Sequence, residues 1–421
     1  MATYQLTLTP VTPVHIGCGE ELPGYAYFLD DFWYIYSIDR VLEQLPAAVR
    51  LRLVDVATHN VMALAGALQA YPEAMKAAAE AIGGYSEAAR LAWETARERQ
   101  SQALVQRFVH SQNRAYIPGS SLKGVLRTAL LYAYGKPFTA QKTGRDARDL
   151  EAETFHYEAR RLNTDPFRFL KISDTSVLRD ATDLRMLRRV AFHAKEHRWV
   201  DQVETLAECT GATLSRLQLS DRDITLRATL TIQEDAHAAA SQDGAPPWRF
   251  GVGAILAACQ HFAEQQLAAE RNYSLGLAAA ESAYASLTSY AAALPAHATL
   301  LRLGFGTGRD SKTVNYLQPK PEESNSRLLV DGVWPLGWVE LQILTAAGKP
   351  FTPADDLAWP VPPIQRKLRR TQAGEQARAK AAAAERAANE KAKADATRTT
   401  KRQEQLASDF LAFLRKKQGD K

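Results

Sequence analysis

This sequence predicts an α+β protein, on three observations. An N-terminal segment alternates apolar and polar residues and is followed by an aromatic-rich hairpin pattern. Two amphipathic helical patterns, near residues 120–134 and 250–270, each stand between strand-like segments. A helix-rich stretch and a basic tail are added to that order without replacing it.

Tyr4, Leu6 and Leu8 alternate with Gln5, Thr7 and Thr9, the period of a half-buried strand. Residues 25–29 and 32–38 flank Asp30-Asp31 and read as a hairpin. From 39 to about 107, Ala, Leu, Glu and Arg recur at helical spacing, broken near Pro46, Pro72 and Gly83-Gly84. A helical insertion is expected there. Ser120 or Ser121 is expected to cap a helix running to Tyr134. Leu122, Val125, Leu126, Ala129, Leu130 and Ala133 share its apolar face, and Lys123 and Arg127 project together from another. Residues 136–168 are polar and basic, with Gly144, Arg145 and Arg148, and read as a loop that orders on binding. Strands are expected from Lys171 onward, at 203–206, at 214–219 and at 225–232. Val252, Ile255, Leu256, Cys259, Phe262 and Leu267 mark a helix over 250–270, followed by strands at 300–303 and 339–344. This order gives two ferredoxin-like units, residues 1–205 and 206–360. Residues 361–421 form a basic Ala/Lys/Arg/Glu tail, helical or disordered.

At 421 residues and 46.5 kDa the chain has room for two domains plus appendages. Its net charge of +5 is unevenly divided. From Ile364 onward there are sixteen Lys+Arg against seven Asp+Glu, whereas the preceding residues carry 36 against 40. Any nucleic-acid site on the body is therefore a local arrangement and not a generally basic surface. No run approaches the roughly eighteen apolar residues of a membrane span. The N-terminus enters the first strand directly, so no signal peptide is expected. Cys18, Cys209 and Cys259 form neither a disulfide framework nor a CxxC pair, which fits a reducing cytoplasm.

Three glycine-bearing segments carry the chemistry. His15-Ile16-Gly17-Cys18-Gly19 follows the first strand, Ile117-Pro118-Gly119-Ser120-Ser121-Leu122-Lys123-Gly124 opens a helix, and Gly304-Phe305-Gly306-Thr307-Gly308-Arg309 comes late. Open backbone next to Lys123, Arg127, Arg309 and Lys312 suits a polyanion, and three such segments suit an extended one: single-stranded nucleic acid. The alternative to a helix N-terminus that binds phosphate is a well-capped surface helix. Residues 306–313 depart from the Walker A pattern by Ser311 in place of its second glycine, and Pro319 and Pro321 deny the loop its helix. A glycine-rich binding loop is the better reading. His15 is a candidate acid or base for RNA cleavage without a visible partner. His193 and His197 have helical spacing, with Cys209 a conceivable third ligand, but Arg188, Arg189, Lys195 and Arg198 would repel a cation. Asp174 reads as a capping residue before it reads as a metal ligand. No cofactor or metal is expected.

Taken together, the run Leu8-Thr9-Pro10-Val11-Thr12-Pro13-Val14-His15-Ile16-Gly17, the segment 117–124 followed by Arg127, and Gly304-Phe305-Gly306-Thr307-Gly308 resemble the RAMP superfamily of CRISPR effector proteins. Ser311-Lys312-Thr313-Val314 and Pro335-Leu336-Gly337-Trp338 are most similar to the family of fifth subunits of the type III-A Csm complex. The resemblance covers about residues 3 to 345. It implies two RRM-like domains and a crRNA-binding, non-catalytic subunit that caps the crRNA 3′ end and supports assembly, crRNA maturation and antiviral defence. The implied partners are crRNA, the repeated RAMP backbone subunit and the other Csm subunits. The implied RNA-binding set is His15, Gly17, Gly119, Ser120, Ser121, Lys123, Arg127, Gly304, Phe305, Gly306, Thr307, Gly308, Arg309 and Lys312. The competing reading is a RAMP-type RNA endonuclease using His15, or a backbone-type subunit using Asp174. The aromatic signature of ordinary RRMs is absent, which fits binding through loops instead of stacking on a sheet.

Overall fold

The computed structural model describes residues 1–99, 103–135, 146–159, 161–178, 182–193, 198–215, 224–233, 251–308, 311, 317, 326–352 and 383. In chain order it begins with β1 (Ala2–Pro10), β2 (Gly17–Leu22) and the hairpin of β3 (Tyr27–Leu29) and β4 (Trp33–Tyr36). Next come α1 (Ile38–Gln44), α2 (Ala47–His59), α3 (Val61–Leu68), α4 (Pro72–Ala77), β5 (Ala79–Tyr85) and α5 (Glu87–Glu98). Then follow β6 (Val105–Phe108), β7 (His110–Ser111), β8 (Arg114–Ala115), α6 (Gly119–Tyr134), α7 (Asp146–Phe155) and β9 (Leu170–Ile172). A long hairpin, β10 (Thr182–His193) and β11 (Arg198–Thr210), precedes β12 (Leu226–Ile232), α8 (Val252–Tyr273) and α9 (Ala278–Ala292). Last are β13 (Ala298–Arg302), β14 (Ser326–Val330), β15 (Trp334–Pro335) and β16 (Trp338–Thr345).

Five strands form the first sheet, in the order β13-β16-β1-β12-β9, every pair antiparallel. The alternation of β1 places Leu6 and Leu8, both essentially inaccessible, in one core with Leu122, Leu126 and Leu130 of α6 and Ile255, Leu256 and Phe262 of α8. Tyr132 packs on Phe262 with ring centroids 5.0 Å apart. The face predicted for α6 is therefore the buried face. Among the described residues no helix is long and apolar enough to cross a membrane.

The second sheet runs β2-β6-β11-β10-β5-β4-β3, with β14 on β10. Trp33, Tyr27, Trp93, Val105, Leu184 and Leu206 make its core, and α1–α4 pack a separate apolar cluster against Phe28, Tyr34 and Tyr36. A buried ion pair fastens this sheet. Glu208 Oε2 accepts from Arg107 Nε at 2.9 Å and from the Phe108 amide at 3.1 Å, while its Oε1 accepts from Thr182 at 3.1 Å.

Several expectations are corrected. The segment 39–107 is not wholly helical, because β5 lies inside it and pairs with β4 and β10. Gly83 reads in the sequence as a break, yet a Cβ there would stand 2.0 Å from the Thr182 carbonyl oxygen. Its lack of a side chain is what lets β5 approach β10. Residues 146–155, expected in a loop, form α7, and α9 was not anticipated. His193 ends a strand and so does not have helical spacing, and His197 lies outside the described residues. Cys209 faces Asp183 at the far end of the hairpin from His193, in the core. Both sheets draw strands from either side of residue 205, since β1 is flanked by β12 and β16 while β9 stands at one edge. Of the strand expected at 214–219, Leu214 and Ser215 form a bend and the rest lies outside the described residues, as does all but one residue of the tail at 361–421.

Replacing Glu208 by Ala would leave Arg107, 6% exposed, as an uncompensated buried charge. We expect a loss of about 3–5 kcal/mol in denaturant unfolding, with a smaller loss for Glu208→Gln, which keeps an acceptor. Equal stability of Glu208→Ala and the parent would contradict this account of the sheet.

Candidate nucleic-acid interface

The loop after β1 is tied to other elements at nearly every residue. The Val11 and Thr12 amides donate to the Trp338 carbonyl at 2.9 and 3.1 Å, and the Gly337 amide donates to the Pro13 carbonyl at 2.9 Å. Val14 and Thr210 exchange bonds, with the Val14 amide on Thr210 Oγ1 at 3.1 Å and the Thr210 amide on the Val14 carbonyl at 2.9 Å. The His15 carbonyl then accepts from the Phe305 amide at 2.7 Å, and the Ile16 carbonyl from Val109 at 2.7 Å. One short loop thus joins both sheets and the late glycine segment.

Gly304 makes that junction possible. Its φ of +93° is one that residues with a Cβ avoid, and a Cβ there would stand 2.4 Å from the His15 carbonyl oxygen. Gly306, at φ +70°, lies against the Leu328 side chain, with 2.6 Å to a Cβ built there. Gly308, at φ +79°, faces open space. Gly304 is thus required by packing against backbone, Gly306 by its positive φ beside a side chain that can shift, and only Gly308 is left open for close approach by a ligand.

His15 is buried, with Nδ1 2.7 Å from the Glu208 carbonyl oxygen. A carbonyl only accepts, so Nδ1 carries the proton in that bond and the neutral ring keeps Nε2 as an acceptor. Burial pulls the imidazole below its usual 6.5, against the bond to the Glu208 carbonyl and the nearby Glu208 charge. The ring meets Phe108 and Phe305 edge to face. Phe305 is itself 51% exposed.

The N-terminus of α6 is already largely satisfied. Pro118, not Ser120 or Ser121, stands at the cap. The Gly119 amide donates to Asp174 Oδ1 at 2.8 Å, and the Ser121 and Leu122 amides donate to the Pro118 carbonyl at 3.0 and 3.3 Å. Gly119 abuts the Ile172 and Ser173 carbonyls. Asp174 thus caps a helix far from it in sequence, whereas its sequence context suggested the cap of a local turn. An internal carboxylate occupies ground that an external phosphate would need.

Lys123 and Arg127 differ in their roles. The Arg127 guanidinium pairs with Glu151, with Asp165 at 2.6 Å and with the Tyr157 hydroxyl at 2.9 Å, and lies over the Phe167 ring. It anchors α7 and the turn before β9 to α6. Lys123 is half-buried, and burial pulls its ammonium below the usual range, with Asp165 opposing and Arg127 adding to that effect. Arg309 and Lys312 lie outside the described residues.

The three glycine segments converge on one cleft of about 630 Å³. His15, Gly17 and Gly19 line one wall, Ser121, Gly124 and Thr128 of α6 another, and Gly304, Phe305 and Thr307 a third. Its lining also includes Gln106, Ser311 and Arg302, which sequence reasoning missed. Arg302 is the one charged side chain among the described lining residues, and it lies 3.3 Å from Glu270. Neutral donors and acceptors with an aromatic ring suit a base and its sugar better than a bare phosphate.

The RAMP superfamily model matches residues 7–226, just over half of the sequence. The chain belongs to the RAMP superfamily. A relative from Methanocaldococcus jannaschii, described as CRISPR system Cms protein Csm5, is 27% identical over 188 residues, or 41% of this chain. The match spans 43% of that protein's length. Two solved structures share the fold at 18% identity. A chain from a cryo-EM Csm-crRNA-target RNA ternary complex of a type III-A CRISPR-Cas system gives a TM-score of 0.58, covering 80% of this chain and 100% of its own. The crystal structure of T. onnurineus Csm5 gives 0.52, covering 79% and 99%.

The contrast among the glycines is testable by thermal and denaturant unfolding. Gly304→Ala should cost more than about 2 kcal/mol, because backbone strain and a clash with the His15 carbonyl act together. Gly308→Ala should cost only about 1 kcal/mol, from backbone strain alone. Equal losses would mean that the close approach at Gly304 is not what holds the loops together.

Proposed function

We propose that this RAMP protein is a crRNA-binding, non-catalytic subunit of a type III-A Csm interference complex, and that it caps the crRNA 3′ end beside the repeated backbone subunit. The observation that carries the reading is the convergence of the three glycine segments on one cleft with an exposed aromatic ring at its rim. Similarity to Csm5 proteins, and to a chain of a Csm-crRNA-target RNA complex, supports the partner and the setting. The proposed RNA-facing groups are His15 Nε2, Gly17, Ser121, Thr307, Gly308 and Phe305, with Lys123 and, in the segment beyond Gly308, Arg309 and Lys312 supplying charge. Arg127 is assigned to holding α6 in place.

The fold reading that accompanies this proposal is one ferredoxin-like unit running β1-α6-β9-β12-α8-β16. Its strands lie in the order fourth, first, third, second, the layout of that motif. The second sheet has a different order and carries the helical α1–α4 cluster. A positioning role for His15 is supported by its Nδ1, committed to a backbone carbonyl, and by burial that keeps the ring neutral. The cytoplasm is the compartment in which such a complex would work.

Phe305→Ala should weaken binding of a fluorescent single-stranded repeat-derived RNA roughly tenfold, the loss expected for one base–aromatic stack, at unchanged melting temperature. Lys123→Ala should lower the salt slope of binding by about 0.7 and leave stability near that of the parent. Arg127→Ala should instead lower stability by about 2 kcal/mol, because its partners are only partly shielded from water. Unchanged RNA affinity in Phe305→Ala would remove the cleft from the interface. Cleavage of repeat RNA by the purified chain, abolished by His15→Ala, would favour an endonuclease.

A further inference from the structure

β2 departs from regular pairing between Gly17 and Glu21. Gly17 stands opposite Phe108 and Glu21 opposite Gln106, so the β2 stretch is longer than the β6 stretch it faces. Gly19, at φ +84° with open space around it, forms the apex of the bulge. The bulge brings Cys18 and Glu20 beside His110, which lies just past the end of β6. Cys18 Sγ, a Glu20 carboxylate oxygen and a His110 ring nitrogen all lie within 4.8 Å of one another. We propose that Cys18, Glu20 and His110 form a binding site for a divalent zinc ion.

Three features of the cluster carry the assignment. Sulfur, imidazole and carboxylate are together a donor set for zinc, whereas magnesium and calcium take oxygen donors. His110 is already oriented as a ligand. Its Nδ1 is 2.8 Å from the Phe108 carbonyl oxygen, so Nδ1 donates and Nε2 is left as a lone-pair donor turned towards Glu20. This is the backbone contact that commonly fixes the tautomer of a metal-bound histidine. The spacing is also close to what the ion requires. His110 Nε2 and Glu20 Oε2 are 3.9 Å apart, and tetrahedral zinc with nitrogen and oxygen bonds of about 2.0–2.2 Å would draw them to roughly 3.3–3.6 Å.

Cys18 is exposed and Glu20 is 68% exposed in its side chain, so both can close by rotation without moving a core. Cys18 Sγ donates to the Arg107 carbonyl oxygen at 3.7 Å, a long contact that a metal bond can replace. Binding exchanges the thiol proton for the metal: zinc–sulfur, zinc–nitrogen and zinc–oxygen bonds form, and one proton leaves to solvent. Affinity therefore rises with pH. A water molecule completes the fourth position. Cys18 stands between Gly17 and Gly19, which line the cleft, so an ion held by it would fix the shape of that wall.

The test uses full-length protein without an affinity tag, freed of metal by chelator and titrated with cobalt(II) and then zinc. One cobalt per chain should bind, with a thiolate-to-cobalt charge-transfer band in the near ultraviolet and intense tetrahedral bands in the visible, and zinc should displace it. Cys18→Ser should abolish the charge-transfer band, and His110→Gln should weaken zinc binding at least tenfold, both with the parent's circular dichroism. Failure of the folded parent to bind stoichiometric zinc, or binding that survives both substitutions, would overturn the site. The readout is independent of RNA, so its outcome is separate from that of the proposed function.

Discussion

The hydrogen bond from the Phe305 amide to the His15 carbonyl, made at contact distance because Gly304 has no side chain, joins the two ends of the fold. Residues nearly three hundred positions apart meet there. The loop carrying His15 ends the central strand of one sheet, and its other bonds include those to Thr210 of the second sheet, to Val109 and to the residues that open β16. Neither sheet can shift relative to the other without breaking this set. The cleft wall is accordingly made of backbone held on both sides, the kind of preorganised surface that favours binding over rearrangement.

Charge is used differently in the body and at the site. The buried groups Arg107, Glu208, Arg185, Asp183, Arg302 and Glu270 are paired with one another, consistent with a body whose formal charge is slightly negative. Arg127 belongs with them. The cleft itself relies on hydroxyls, an amide, an imidazole acceptor and one exposed ring. On the proposed function, long-range attraction of RNA would rest on groups outside the cleft, and recognition within it on shape and hydrogen bonding.

Much of the fold was legible because its signals are local. The alternation in β1, the hairpin around Asp30-Asp31 and the apolar faces of α6 and α8 all correspond to observed elements. β5 and β10 were not legible. An Ala-rich strand with paired glycines and an Arg-rich strand both lack a strand-like period, and they are held by long-range contacts: Gly83 against Thr182, and Arg185 against Asp331. The division at residue 205 was inferred from sequence order, whereas β1 takes its neighbours from residues 226–345. At the site, the glycine segments were visible and their convergence was not. The commitment of Arg127 to Glu151 and Asp165, and of the Gly119 amide to Asp174, depends on pairings that no spacing rule reveals.

Photo-crosslinking bears most directly on the central claim, that the glycine segments form one RNA-contacting cleft. A reconstituted complex carrying crRNA with photoactive bases in its 3′ segment would be irradiated, and the crosslinked peptides of this subunit mapped by mass spectrometry. The account predicts crosslinks at Phe305 and at peptides spanning His15–Gly17 and Ser121–Thr128, arising from the same few nucleotides. Crosslinks confined to the second sheet or the α1–α4 cluster, with none at the cleft, would contradict it.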